Sequence, residues 1–150
     1  MRSTTPHFLL YTDYENNDNE GRWHVVLESV SGEEYFEAAS EEPVVGERLE
    51  LLAVVRGLEA LDQPSRVTLV TPSRYVSRGI KYGLEHWRAS GWRWESFGRY
   101  VPVKNGDLWQ RVDQALSIHD VTCRRWRIDQ NHLEEDASVE EVQPLETQVA

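Results

Sequence analysis

The feature that most constrains the fold is a change in hydrophobic period between the first and second thirds of the chain. Apolar residues in 22–29 alternate with polar ones, which is typical of a half-buried strand. Similar strands are predicted at 7–13 and 33–39, so the chain begins with three strands that we expect to form an antiparallel meander. In 47–61 the apolar residues recur at helical spacing instead, and Pro64 ends this helix.

The rest of the chain mixes strands with helices. A short apolar strand is predicted at 66–71, a helix begins near residue 73, and a second helix covers 107–120. The segment 121–128 is a plausible last strand. This order of elements predicts an α/β layer built on a mixed sheet.

Length and composition exclude several classes of protein. A chain of 150 residues with 39% hydrophobic residues is long enough for one globular domain, which we place at 1–133, followed by an acidic helix or tail at 134–150. No apolar run reaches the roughly 18 residues of a transmembrane helix, so we expect no membrane partner. The single cysteine, Cys123, excludes an intramolecular disulfide and favours a cytoplasmic location.

The net charge of −10 hides an uneven distribution. Residues 1–55 carry 12 acids and 3 bases, residues 56–127 carry 7 acids and 13 bases, and residues 128–150 carry 7 acids and no base. A basic middle between acidic ends predicts a surface that faces an anionic partner. Ordinary solvated helix faces explain the same pattern about equally well.

Three segments resemble the type 1 ribonuclease H family, in the family's order. They are "ERLELLAVVRGLEAL" (47–61), "VTLVTPSRYVSRGIKYGLEHWRASGW" (67–92) and "PVKNGDLWQRVDQAL" (102–116). The opening "YTD" (11–13) matches more weakly, and the resemblance covers roughly 7–127. It implies a ribonuclease H-like α/β fold: a five-stranded mixed sheet, three antiparallel strands first, with helices on both faces.

The resemblance also implies a chemistry, the cleavage of the RNA strand of RNA–DNA hybrids. Four carboxylates in this family hold two Mg²⁺ ions, and Mn²⁺ is an alternative metal. Asp13 matches the first carboxylate and Glu50 the second, and these two are the predicted metal ligands. Asp136 is the best match to the last one. The third position holds Pro72, so a catalytic Asp is missing.

Pro72 is nevertheless compatible with the fold. It stands where the strand 66–71 meets the next helix, and we predict Thr71 as the N-cap and Pro72 as the first helical residue. A missing N–H and a fixed φ cost nothing at that position. The helix is therefore specified there, while the metal ligand is absent.

Further residues match the family's contacts with nucleic acid. Basic side chains bind phosphate and aromatic side chains stack on bases, in both cases without recognising the base sequence. The predicted contacts are Arg48, Arg74, Trp87, Arg88, Trp92, Lys104 and Asn105.

Other positions depart from the family pattern. Tyr14 and Glu15 replace a Gly-Ser pair, which puts bulk where the substrate backbone approaches. Gly46 and Glu47 replace two asparagines, and the acid would repel phosphate. The family's Gly-His-x-Gly signature is absent.

Three functions are compatible with these residues. The first is a ribonuclease H-like domain with an incomplete metal site, weak or no hydrolysis and retained binding of RNA–DNA hybrids, possessing no cofactor in the extreme case. The second is an active Mg²⁺-dependent endonuclease in which Glu15, Asp18 or an acid from 129–136 replaces the lost ligand. The third is a protein-interaction module, which the acidic first third of the chain favours.

Overall fold

The computed structural model describes residues 5–125. Seven strands are present in this part of the chain: β1 (His7–Asn16), β2 (Gly21–Ser29), β3 (Tyr35–Glu42), β4 (Arg66–Thr71), β5 (Arg93–Ser96), β6 (Arg99–Pro102) and β7 (Asp120–Arg125). The helices are α1 (Glu47–Glu59), α2 (Arg74–Arg78), α3 (Leu84–Ala89) and α4 (Gly106–Ile118), and a π-helical turn, Gly79–Gly83, joins α2 to α3. None of these helices is long and apolar enough to cross a membrane.

Five strands form one mixed sheet in the order β3-β2-β1-β4-β7. β1, β2 and β3 pair antiparallel, whereas β4 runs parallel to both β1 and β7. The predicted ribonuclease H-like fold, with three antiparallel strands first in a mixed sheet, is confirmed. The carboxyl ends of β1, β4 and β7 lie at the same edge, which is where α/β proteins place their sites.

The core lies between the sheet and α1. Leu10 of β1 lies against Gly57 of α1, where an added Cβ would overlap its side chain. The almost fully buried residues here include Leu10, Val25, Leu51 and Val55. α1 is buried on more than the face that meets the sheet, since residues 51–55 are all buried and the helix also contacts α4. Trp109 of α4 extends the same core and is fully buried.

The start of α2 differs from the prediction. Ser73 is its N-cap, and its Oγ accepts a hydrogen bond from the backbone N–H of Val76 at 3.0 Å. Thr71 instead accepts from the N–H of Ser73, and Pro72 precedes the cap, so the predicted cap at Thr71 was wrong. The reason is that Ser73 is itself extended, with φ of −83° and ψ of 117°, so helical geometry begins only at Arg74.

The Trp-containing stretch 86–106 contains a hairpin, although no strand was predicted there. β5 and β6 pair antiparallel as a separate two-stranded sheet. The predicted residue Asp136, the helix or tail at 134–150 and the last residues of the predicted strand 121–128 lie outside the described residues.

Candidate active site and nucleic-acid surface

Glu50 is held at the strand edge by a hydrogen bond from the neighbouring loop. It projects from the first turn of α1, and its Oε1 accepts a hydrogen bond from Ser73 Oγ at 2.6 Å. Burial raises the pKa of Glu50, the bond from Ser73 opposes that shift, and the negative charge of Glu47 adds to it. The carboxylate is therefore bound to the protein itself at the place where the family has a metal ligand.

Tyr14 lies beside this carboxylate. The residue is half-buried near the end of β1. Burial raises its pKa to about 12, and the charges of Glu50 and Asp13 act in the same direction. The nearby guanidinium of Arg125 and a hydrogen bond with Ser73 oppose the shift. The phenol thus lies close to Glu50, the second matched carboxylate.

Arg125 reaches this site from the edge of the sheet. It ends β7 and is paired with Thr71, the last residue of β4 and the neighbour of Pro72. The charge of Arg125 lowers the pKa of Tyr14, against the larger effect of burial. A positive charge therefore lies on the strand next to β4, whose end carries Pro72 in place of the family's carboxylate.

Asp13 is the second matched carboxylate of this edge. It lies on β1 opposite His24 of β2 and is exposed. One of its oxygens, Oδ1, accepts a hydrogen bond from the N–H of Tyr14 at 2.8 Å. Because side chains alternate along a strand, Asp13 and Tyr14 leave β1 toward opposite faces of the sheet.

The donor set does not fit a two-metal site in the described part of the chain. Mg²⁺ prefers several oxygen ligands, and carboxylates neutralise its charge. Within residues 5–125 no three acidic, histidine or cysteine side chains come together as metal ligands, and this includes Glu15 and Asp18. Pro72 offers no ligand, and Arg125 adds positive charge. The family generally uses Mg²⁺, but these residues do not build its site.

The predicted contact residues Arg48 and Asn105 are bonded within the protein. The guanidinium of Arg48 donates two hydrogen bonds to Asp107, at 2.7 and 3.0 Å, and a third to Asn105 Oδ1 at 3.1 Å. Asn105 Nδ2 in turn donates to the hydroxyl of Tyr75 at 3.0 Å. These bonds fix α1 against the start of α4 and orient both predicted contacts.

Two further predicted cations have acidic partners. Lys104 Nζ contacts Glu47 Oε1 at 3.0 Å, and Arg88 pairs with Asp113 of α4. Both pairs are at least partly exposed, so phosphate could compete for the cations at modest cost. Glu47 is also the acid that departs from the family pattern.

Trp87 and Trp92 are mainly packing residues. The rings of Trp87 and Trp109 are 5.2 Å apart, and those of Trp87 and Trp92 are 6.4 Å apart. Tyr75 completes this aromatic cluster, because its hydroxyl accepts a hydrogen bond from Trp109 Nε1 at 2.9 Å. Gly79 lies against the Trp109 ring, where a side chain would not fit.

A basic groove runs along the helices that follow β4. Its volume is about 610 Å³, and its lining includes Arg74, Arg78, Tyr82, His86 and Trp87, with Glu47 at one side. Arg74 and Arg78 are exposed, and neither forms an ion pair with any residue in 5–125. Of the predicted nucleic-acid residues, Arg74 is the cation that is most available to a ligand.

Sequence reasoning missed three parts of this site. Ser73 binds Glu50 and caps α2, whereas the predicted cap was Thr71 and no role was predicted for Ser73. Tyr14 appeared as added bulk, but its contact with the carboxylate edge depends on the tertiary fold. Arg125 had no local signal at all, since only the pairing of β7 with β4 brings it beside Thr71.

Comparison with known proteins agrees with this geometry. The family model "RNase H" matches residues 5–127. A protein from Polynucleobacter asymbioticus named "Ribonuclease H" is 40% identical over 122 residues, covering 80% of this chain and 77% of the relative.

Two solved structures are similar in fold. One is LC9-RNase H1, described as a type 1 RNase H with the type 2 active-site motif, with a TM-score of 0.69, 25% identity and coverage of 85% of this chain and 65% of that chain. The other, a foamy viral protease-reverse transcriptase in complex with RNA/DNA hybrid, has a TM-score of 0.58 and 17% identity, with 81% of this chain and 17% of that chain covered. From its sequence and its fold together, the chain belongs to the type 1 ribonuclease H family.

Proposed function

We propose that this domain binds RNA–DNA hybrids and has lost most or all of the hydrolysis that the family carries out. The carrying observation is the contact between Ser73 and Glu50 at a strand edge where Pro72 stands in place of a carboxylate. The carboxylate of Glu50 therefore accepts a hydrogen bond from the protein at the position of a family metal ligand. Metal-dependent hydrolysis needs its ligands in place to stabilise charge in the transition state, so an incomplete set supports low activity.

The retained binding rests on the helical segment that follows β4. Residues 74–102 carry six basic and two acidic side chains, a net charge of +4, whereas the whole chain has a net charge of −10. Arg74 and Arg78 line the groove there and are exposed. Such cations bind the phosphate backbone irrespective of sequence. The solved viral relative that is named as a complex with RNA/DNA hybrid supports the same ligand class.

A labelled RNA–DNA hybrid tests both halves of the proposal. With Mg²⁺ or Mn²⁺ present, the protein should cleave the RNA strand little or no faster than the no-enzyme control. Fluorescence anisotropy at low salt should detect binding of the hybrid. Affinity should fall steeply as salt rises, since phosphate contacts release counterions. Turnover that Asp13→Asn abolishes would contradict the proposal.

The second candidate is an active endonuclease with a rearranged site. The observation that favours it is the 40% identity to a protein named "Ribonuclease H". The ligand lost at position 72 would then be replaced by an acid from 129–136, and Asp136 would serve as the family's last carboxylate. If this candidate is correct, the hybrid is cleaved, Asp136→Asn abolishes cleavage, and Glu146→Gln, which removes an acid further along the chain, does not.

A protein-interaction module is the third candidate. The net charge of −9 over residues 1–55 favours it. Absence of affinity for any duplex at low salt would support this module against the other two candidates.

The cytoplasmic location remains part of the proposal and is supported by a single, buried cysteine, Cys123.

A further inference from the structure

The hairpin of β5 and β6 projects as a small separate unit beside the basic groove. Its strands pair from Arg93 with Pro102 to Ser96 with Arg99. Two backbone acceptors fix its base: the carbonyl of Arg93 accepts from Ser90 Oγ at 2.6 Å, and that of Trp92 accepts from the N–H of Val103 at 3.1 Å. The hairpin therefore has a defined position on the domain.

The turn of this hairpin holds a phenyl ring entirely in solvent. Phe97 and Gly98 form its two-residue loop with φ of 52° and 79°, the pattern that favours Asn-Gly. A bulky residue with positive φ is strained. The Phe97 side chain is also 101% exposed relative to an extended reference, so it gains no burial in return. Folding does not explain a phenylalanine at this position.

Two more aromatic side chains of the hairpin face solvent. Trp94 is 47% exposed and Tyr100 is 69% exposed. In the strand register Trp94 lies opposite Val101, and Tyr100 lies opposite Glu95, so the two rings occupy different faces. Together with Phe97 at the tip, they make an exposed aromatic surface, which is a mark of binding sites.

The charge on this surface is positive on one face. Arg99 pairs with Ser96 and therefore shares a face with Trp94, while the acid of the hairpin, Glu95, lies on the other face. Neither Arg93 nor Arg99 forms an ion pair with a residue in 5–125. Exposed aromatic rings beside such arginines are the combination that binds single-stranded nucleic acid, because rings stack on bases and arginines contact phosphates.

We propose that the β5–β6 hairpin binds unpaired nucleotides next to a duplex, with Trp94 and Phe97 stacking on bases and Arg99 contacting the backbone. This inference deepens the proposed function and rests on it for the class of ligand. The hairpin would extend the contact of the basic groove from the paired to the unpaired part of a nucleic acid.

The test compares two hybrids by fluorescence anisotropy with the full chain. One is blunt, and the other carries a single-stranded tail of about ten nucleotides, long enough for one stacking site. The tail should tighten binding about tenfold, since stacking of one base contributes that much or more. Tails of DNA and of RNA are both used, on either strand.

Phe97→Asn separates binding from folding. Asn-Gly is a favoured turn for this hairpin, so the variant should keep or raise the melting temperature. The gain in affinity that the tail gives over the blunt hybrid should fall severalfold. Trp94→Thr is the second variant, since Thr retains strand propensity. Tyr35→Thr removes a comparably exposed aromatic residue from β3, away from the hairpin, and should leave the gain unchanged.

The outcomes test the inference about the hairpin separately from the proposed function. No gain from any tail, or an equal gain in wild type and both hairpin variants, overturns the inference while binding of the blunt hybrid still supports the proposed function. No binding of the blunt hybrid overturns the proposed function instead. Self-association that Phe97→Asn abolishes, with tail binding unchanged, makes the hairpin a contact between copies of the chain and also overturns the inference.

Discussion

Ser73 Oγ lies 2.6 Å from Glu50 Oε1 and at the same time caps α2 through the N–H of Val76. One buried hydroxyl thus joins the first turn of α1 to the end of β4. Ser73 therefore stabilises the start of α2 and also binds a carboxylate at the edge where the family binds metal. Changes to the groups around this bond should therefore alter both stability and metal binding.

Removal of the Ser73 hydroxyl should destabilise the domain. Ser73→Ala leaves the first turn of α2 without its cap and Glu50 without its donor, at a combined cost of about 2 kcal/mol. Urea unfolding followed by circular dichroism measures this free energy. Ser117→Ala is the control, because its exposed hydroxyl donates only to the carbonyl of Gln114, and a change within about 0.5 kcal/mol is expected. Equal effects of the two variants would contradict the assigned role.

The raised pKa of Glu50 predicts a pH-dependent effect of its neutral variant. A carboxyl whose folded pKa is raised favours folding below its unfolded value of 4.5 and loses that contribution as pH rises through the folded pKa. Glu50→Gln should therefore match wild type in acid and become the more stable protein at neutral pH. Melting temperatures between pH 4 and pH 7, measured with a chelator present, follow this difference.

Glu59 provides a control of opposite sign. Its hydrogen bond from Arg111 lowers its pKa, so its contribution to stability is present above the unfolded value and lost in acid. Glu59→Gln should be less stable than wild type at neutral pH and equal to it at low pH. Parallel profiles for the two variants would argue against the environment described for Glu50.

A carboxylate restored at position 72 should improve metal binding. Pro72→Asp places a third acid at the end of β4, beside Ser73 and near Glu50, and should tighten Mn²⁺ binding on the order of tenfold as ligand charge increases. Isothermal titration calorimetry measures this affinity. Pro72→Asn has the same shape without the charge. If both variants bind alike, or neither differs from wild type, Arg125 or Tyr14 still excludes the ion.

Loss of the acid at position 47 should strengthen binding of nucleic acid. Glu47→Gln frees Lys104 from its ion pair and removes a negative charge from the side of the basic groove. We expect affinity for a blunt hybrid to rise about threefold at low salt, with a steeper dependence on salt, since one more cation meets phosphate. Glu59→Gln makes the same change of charge at the other end of α1. A rise of equal size in both variants would point to overall charge rather than to Lys104.

Gly79 should tolerate no side chain. A Cβ at this position would overlap the six-membered ring of Trp109, so Gly79→Ala should cost about 1–3 kcal/mol through overpacking. Denaturant unfolding monitored by tryptophan fluorescence reports the loss. At Gly106 an added Cβ would meet Val103 Cβ at 3.7 Å as its nearest neighbour, so Gly106→Ala should leave stability unchanged or slightly higher. The opposite ranking would contradict the described packing.

The elements of the fold could be predicted because each depends on local pattern. Alternation in 22–29 and the helical spacing in 47–61 reflect which side of each element is buried, and β2 and α1 lie where those periods placed them. Pro72 was equally informative, since a proline side chain cannot bind a metal ion in any fold. The β5–β6 hairpin was not predicted, because a Phe with positive φ at its tip runs against the residue preferences of turns.

The state of the active-site edge was decided by tertiary structure. Sequence placed Asp13 and Glu50 at family positions, but it could not show that Ser73 binds Glu50 or that Tyr14 stands beside it. These contacts join residues far apart in the chain, and their existence depends on strand order and register. Arg125 is the clearest case, because only the pairing of β7 with β4 sets it opposite Thr71. Local chemistry names the groups that a site can use, whereas the packing of the sheet decides which of them meet.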